Sequence, residues 1–136
     1  MKTRKYSLFL GLALLALVLT LFSCGKGATE NKLLGRWCRI NLDNLDDSLR
    51  IEEWEFTGED LVIHHHHAYD PADTAALSGM YVMNNYREFT VSGSVEDGWN
   101  ADANGTWRIV KLKKGSLIII RDEGGHGLTF KEFKKL

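Results

Sequence analysis

Four consecutive histidines, His64-His65-His66-His67, are the densest concentration of chemistry in this 136-residue chain. In extended backbone alternate side chains share a face, so His65 and His67 point one way and His64 and His66 the other. Neutral imidazoles two positions apart can both reach one Zn or Cu ion, with a third ligand supplied from elsewhere. Asp70, Asp73 and His126 are the candidates for that third ligand. Continuing the face of Leu61 and Ile63 puts His65 and His67 on the inner side of a strand, near its end. The same tract also suits a polar strand end whose rings are solvated or hydrogen-bonded locally. Zn or Cu at His65 and His67 is the one cofactor the residues suggest.

Catalytic constellations are hard to find. The chain has no Gly-x-Ser-x-Gly elbow, and Ser92-Gly93-Ser94 reads as a turn. Cys38 follows Trp37 in an apolar context with nothing beside it to make a thiolate, which points to a small buried hydrophobe. Asp46-Asp47 and Glu52-Glu53 are adjacent pairs, and neighbours in a strand face opposite ways. No glycine-rich phosphate loop joins a strand to a helix, and no stretch interleaves bases with aromatics as nucleic-acid platforms do. The expectation is a protein that is not an enzyme and does not bind nucleic acid.

The N-terminal stretch decides the address. Lys2, Arg4 and Lys5 precede an apolar run from Leu8 to Phe22, fifteen residues long, where a membrane span wants about 20. Composition then turns polar at Gly25-Lys26-Gly27. A basic start, a short apolar run and a small residue before the cut describe a secretory signal over residues 1–23. Leu21-Phe22-Ser23-Cys24 resembles the lipobox of bacterial lipoproteins. That resemblance implies diacylglyceryl and palmitate chains on Cys24. It also implies attachment to a membrane of the cell envelope, the outer membrane by preference, with the domain outside the cytoplasm. Two or more acyl chains anchor stably where one does not. Residues 1–23 hold three bases and no acids, so from Cys24 onward 14 Lys and Arg face 18 Asp and Glu, a net of −4. Such a balance gives no general reason to seek nucleic acid or anionic lipid. Lys131, Lys134 and Lys135 are the one late basic cluster and read as a solvated strand end. With Cys24 lipidated, Cys38 has no disulfide partner, and the remaining 113 residues are enough for one core without staples.

After a tether over residues 24–32, residues 33–136 form one domain with no convincing helix. β-branched and aromatic residues fill short runs that Gly, Asn and Asp interrupt. Strands are predicted at Leu33–Ile40, Arg50–Thr57 with Trp54 and Phe56 on one face, Leu61 through the histidines, and Leu77–Met83. Four more follow at Tyr86–Ser92, Asn104–Leu112, Leu117–Asp122 and Leu128–Lys134. The Gly93 to Ala103 connection carries Trp99. Eight antiparallel strands joined mostly by hairpins can close on themselves and leave an interior that is filled by side chains or holds one small ligand.

Leu34-Gly35-Arg36-Trp37 is similar to the Gly-x-Trp opening of lipocalins. Gly105-Thr106-Trp107-Arg108 with the hairpin after it resembles the second half of lipocalin-like lipoproteins of the Bacteroidetes type. The likeness spans roughly residues 32–134. It implies an all-β, eight-stranded up-and-down barrel after an N-terminal signal helix, with the opening Trp closing the bottom of the core. Trp37, Trp54 and Trp107 are then either core plugs or surfaces on which a ligand stacks, and Arg36 or Arg108 are candidate cation–π partners. Three functions fit such a protein. The first is a binding module for a small apolar or amphipathic ligand. The second is a filled barrel that docks another envelope protein, and the third is metal or haem capture through the histidines. Fold alone does not choose among them.

Overall fold

The computed structural model of the chain describes residues 25–40, 50–69, 74–93, 103–125 and 127–136. Cys24, Asp70, Asp73, Trp99 and His126 lie outside them. Among the described residues, no helix is long and apolar enough to cross a membrane.

Eight strands close into one barrel: β1 (Gly35–Arg39), β2 (Arg50–Thr57), β3 (Asp60–His67), β4 (Thr74–Asn85), β5 (Glu88–Ser92), β6 (Gly105–Lys113), β7 (Ser116–Asp122) and β8 (Leu128–Lys135). Each strand runs antiparallel to the next, and β1 pairs with β8 through Trp37 opposite Lys135. Closure leaves no unpaired edge. The protein is therefore an all-β, eight-stranded closed antiparallel barrel, as the alternating sequence predicts.

Local chemistry explains the turns. Lys114 and Gly115 both take positive φ, 39° and 81°, the signature of a two-residue hairpin turn. At the β4–β5 turn the Asn85 side chain accepts from the Arg87 N–H and donates to Glu88, so β4 runs on to Asn85 and β5 begins only at Glu88. Register shifts after Met83 and after Ile109 bend the barrel wall.

Residues 24–32 read as a tether in sequence, yet residues 25–33 form a helix, α1. Gly25 and Gly27 weaken its intrinsic propensity, so docking must hold it. Leu33 is fully buried, the Thr29 hydroxyl donates to the Tyr86 carbonyl, and the Leu34 N–H closes the last turn on Glu30. The helix lies at the barrel end that carries the turns at residues 58–59, 86–87 and 114–115. The opposite end, where β1 is followed by β2, β3 by β4, β5 by β6 and β7 by β8, is termed the mouth.

Strand alternation sends Trp37, Trp54, Phe56, Leu61, Ile63, Tyr81, Met83, Phe89, Val91, Trp107, Leu117, Ile119 and Phe133 inward, each at most 2% exposed. Their rings interlock. Trp54 meets Trp107 edge-on at 5.5 Å and Phe133 at a tilt of 54° and 5.4 Å, and Phe56 meets Tyr81 and Phe89 edge-on at 5.0 and 5.7 Å. Edge-to-face contacts at these separations add roughly 0.5–1.5 kcal/mol per pair beyond area burial. Among the described residues the buried Tyr81 hydroxyl has no hydrogen-bond partner, and burial, then the Glu30 charge, pushes it up to about 12.

Candidate functional site

Between the aromatic layer and the mouth, the inner wall becomes charged on one side. Arg39 ends β1, Glu52 enters β2 and Lys131 lies midway along β8. Glu52 accepts from Lys131 Nζ at 2.8 Å, Arg39 Nη1 at 2.9 Å and Trp54 Nε1 at 2.6 Å. Burial alone would raise the Glu52 carboxyl, but Lys131 and Arg39 outweigh it and hold it below its ordinary range. Lys131 is only 3% exposed, so the solvated strand end expected for it is wrong. On β8 it alternates with outward-facing neighbours and shares the inner face with Phe133.

A second charged group stands beside the first. Arg121 on β7 pairs with Glu123 at 2.8 Å, and the same carboxylate accepts from the Thr129 hydroxyl. Further round the barrel, the inner residues of β4 and β5 are Leu77, Gly79 and Val91, while on β3, the strand next to Glu52, Ile63 is followed by His65. The mouth half therefore has one charged wall and one apolar wall. Such a division suits a molecule with a polar end and an apolar body.

The histidines divide as alternation requires. His65 is 9% exposed, stands cross-strand from Glu52 and faces inward, with His67 on the same face. His64 faces outward, where its Nε2 lies 2.9 Å from Glu55. Among the described residues, no three His, Cys, Asp or Glu side chains gather closely enough to hold a metal ion. Cys38 is half-buried on the outer face rather than fully buried, and burial, then the Glu53 charge, raises its thiol.

The three tryptophans sit in the core, and two of them share one device. Trp37 Nε1 donates to the Leu33 carbonyl and Trp107 Nε1 to the Ala103 carbonyl, four residues back and 2.7 Å in each case. Two residues before each ring stands a glycine at strongly positive φ, Gly35 at 110° and Gly105 at 120°. A Cβ at either glycine would come within 3.1 Å of a cation's stem, Lys135 or Arg121. Those cations lie over the rings, Lys135 at 5.0 Å from Trp37 and Arg121 at 4.8 Å from Trp107. Each also donates to the carbonyl just before its glycine, Lys135 to Leu34 at 2.8 Å and Arg121 to Asn104 at 2.6 Å.

Arg36 and Arg108, the sequence candidates for these stacks, face outward because they adjoin inward rings. Arg36 instead pairs with Glu53 at 2.5 Å. The cross-strand partner, not the chain neighbour, supplies the cation. Register shows this directly, since Trp37 stands opposite Lys135. A third cation, Lys131, lies 5.6 Å from the Trp54 ring.

Set against protein-family models, curated proteins and solved structures, the chain matches none of them.

Proposed function

We propose that this chain is a lipid-anchored cell-envelope protein, held through acyl chains on Cys24, whose barrel is a non-enzymatic binding module for a small amphipathic ligand. The observation that carries the reading is the divided mouth half, with Arg39, Glu52 and Lys131 on one side and Leu77 and Val91 on the other. Charged groups this well buried cost solvation that an apolar interior would avoid, so they are poor devices for stability alone. They are good devices for orienting a polar head. The signal-like segment 1–23 and the Cys that follows it supply the address: outside the cytoplasm, on the outer membrane by preference.

The aromatic half favours a second reading, a filled barrel that presents its mouth to another envelope protein. A third, metal or haem capture, draws on the shared inner face of His65 and His67. Native mass spectrometry of the full chain, purified from its own host in detergent, separates the three. The amphiphile reading expects an extra mass of a small organic molecule that is retained by wild type and weakened in Lys131→Met. A metal or haem mass lost in His65→Ala/His67→Ala would replace it with the third reading. The bare protein mass in every preparation would leave the filled barrel.

A further inference from the structure

The helix end of the barrel carries a groove of about 450 Å³, inside the roughly 300–1,000 Å³ range of small-molecule sites. Its floor is apolar, made by Leu112 and the lysine stems, with the Trp37 ring buried beneath Lys135, and its rim is four lysines, Lys32, Lys113, Lys114 and Lys135. They come from three places in the chain: the end of α1, the β6–β7 turn and the end of β8. No carboxylate lines the groove among the described residues. Lys135 is oriented by the Leu34 and Lys32 carbonyls at 2.8 and 3.5 Å, contacts that position an ammonium without neutralising its charge. Lys114 holds a left-handed backbone at φ 39°, where Asn or Gly would sit with less strain, so the turn keeps a cation at a conformational cost.

We infer that this groove seats an anionic phospholipid of the membrane, its head group on the lysines and the upper acyl chain against Leu112 and the lysine stems, above the buried Trp37 ring. Charge complementarity selects the head, because a cluster of lysines beside an anchored segment attracts anionic lipid surfaces. The apolar floor selects a chain rather than a free anion. Position selects the membrane as the source. α1 begins at this end of the barrel, with Gly25 packed against Tyr86, and the proposed anchor Cys24 directly precedes Gly25 in sequence. The inference rests on the proposed anchor for this last step. The net charge of the chain conceals the site, because the groove itself is lined by lysines while Glu30, Glu59 and Glu88 stand at the same barrel end outside its lining.

The test reconstitutes the full chain into vesicles of phosphatidylcholine, with or without phosphatidylglycerol, and reads tryptophan fluorescence. Bromine is placed in the acyl chains of one lipid at a time, so that quenching reports which lipid lies against an indole. Brominated phosphatidylglycerol is expected to quench at least about twofold more than brominated phosphatidylcholine at the same mole fraction, with the excess shrinking as salt screens the lysines. The excess should vanish in Lys113→Glu/Lys114→Glu, and in Trp37→Phe if that variant folds. Lys32→Glu on the exposed face of α1 provides the same readout should the turn variant misfold. Equal quenching by the two lipids, or an excess that survives charge reversal, would overturn the site. Flotation with pure phosphatidylcholine vesicles tests the anchor separately. A chain that stays behind there but rises with phosphatidylglycerol would refute the anchor and keep the site.

Discussion

The two Gly-x-Trp corners are built alike and end differently. At the mouth, Arg121 over Trp107 is tied to Glu123, whose carboxylate is held again by Thr129. At the helix end, Lys135 over Trp37 meets only backbone carbonyls among the described residues, and three further lysines join it around the groove. One corner spends its cation inside the fold; the other leaves positive charge facing outward. The shared parts (ring, carbonyl, glycine, cation stem) are what close a barrel. The unshared part is the neutralising carboxylate, and on the proposed reading its absence marks the end that meets the membrane.

The largest expected effect tests the shared parts. Trp37→Ala and Trp107→Ala should each lose about 3–5 kcal/mol in urea unfolding, the usual cost of truncating a buried ring. A large cost at one corner and a trivial one at the other would break the comparison. Lys131→Met should cost on the order of 3 kcal/mol, because it leaves Glu52 buried with one cation fewer. The same variant has a pH signature. The Glu52 carboxyl titrates below its ordinary 4.5 in the folded protein, so its contribution is whole above that value and fades as pH falls through the lower folded one. Urea midpoints followed from neutral to acid should therefore drop less steeply below about pH 4.5 in Lys131→Met than in wild type.

Smaller effects separate the corners. Arg121→Met removes a ring contact, a carbonyl bond and the ion pair with Glu123, which keeps the Thr129 hydroxyl, for about 1–2 kcal/mol. Lys135→Met strands no carboxylate and should cost less, about 1 kcal/mol, by the same unfolding measurement. Lys113→Glu/Lys114→Glu should stay within about 0.5 kcal/mol of wild type, as exposed substitutions do, while changing the preference for anionic vesicles. Stability and lipid preference would then move independently at the helix end.

Much of this architecture was legible in the sequence. Period-two alternation through Leu61, Ile63 and His65 gave the inner face of β3, and the two Gly-x-Trp motifs marked both corners. What escaped was long-range. Lys131 sits in a lysine-rich strand end, and only the pairing of distant strands brings it to Glu52. Lys32, Lys113, Lys114 and Lys135 meet because three segments converge, which no local window contains. Helix α1 was hidden by Gly25 and Gly27, since its stability comes from Leu33 and Tyr86 rather than from propensity. The histidines were half legible: their alternation could be read, but not the Glu55 partner of His64.

The central claim is a division of labour, with the helix end toward the membrane and the charged mouth toward the ligand. Spin labels placed singly at Lys113 and at Asp122, in a Cys38→Ser background of the full chain in anionic vesicles, test it directly. Power saturation with an aqueous nickel complex and with oxygen reports the depth of each label. The account expects the label at position 113 to be shielded from nickel and reached by oxygen, and the label at position 122 to be open to nickel. Equal exposure at both positions, or the reverse order, would contradict it.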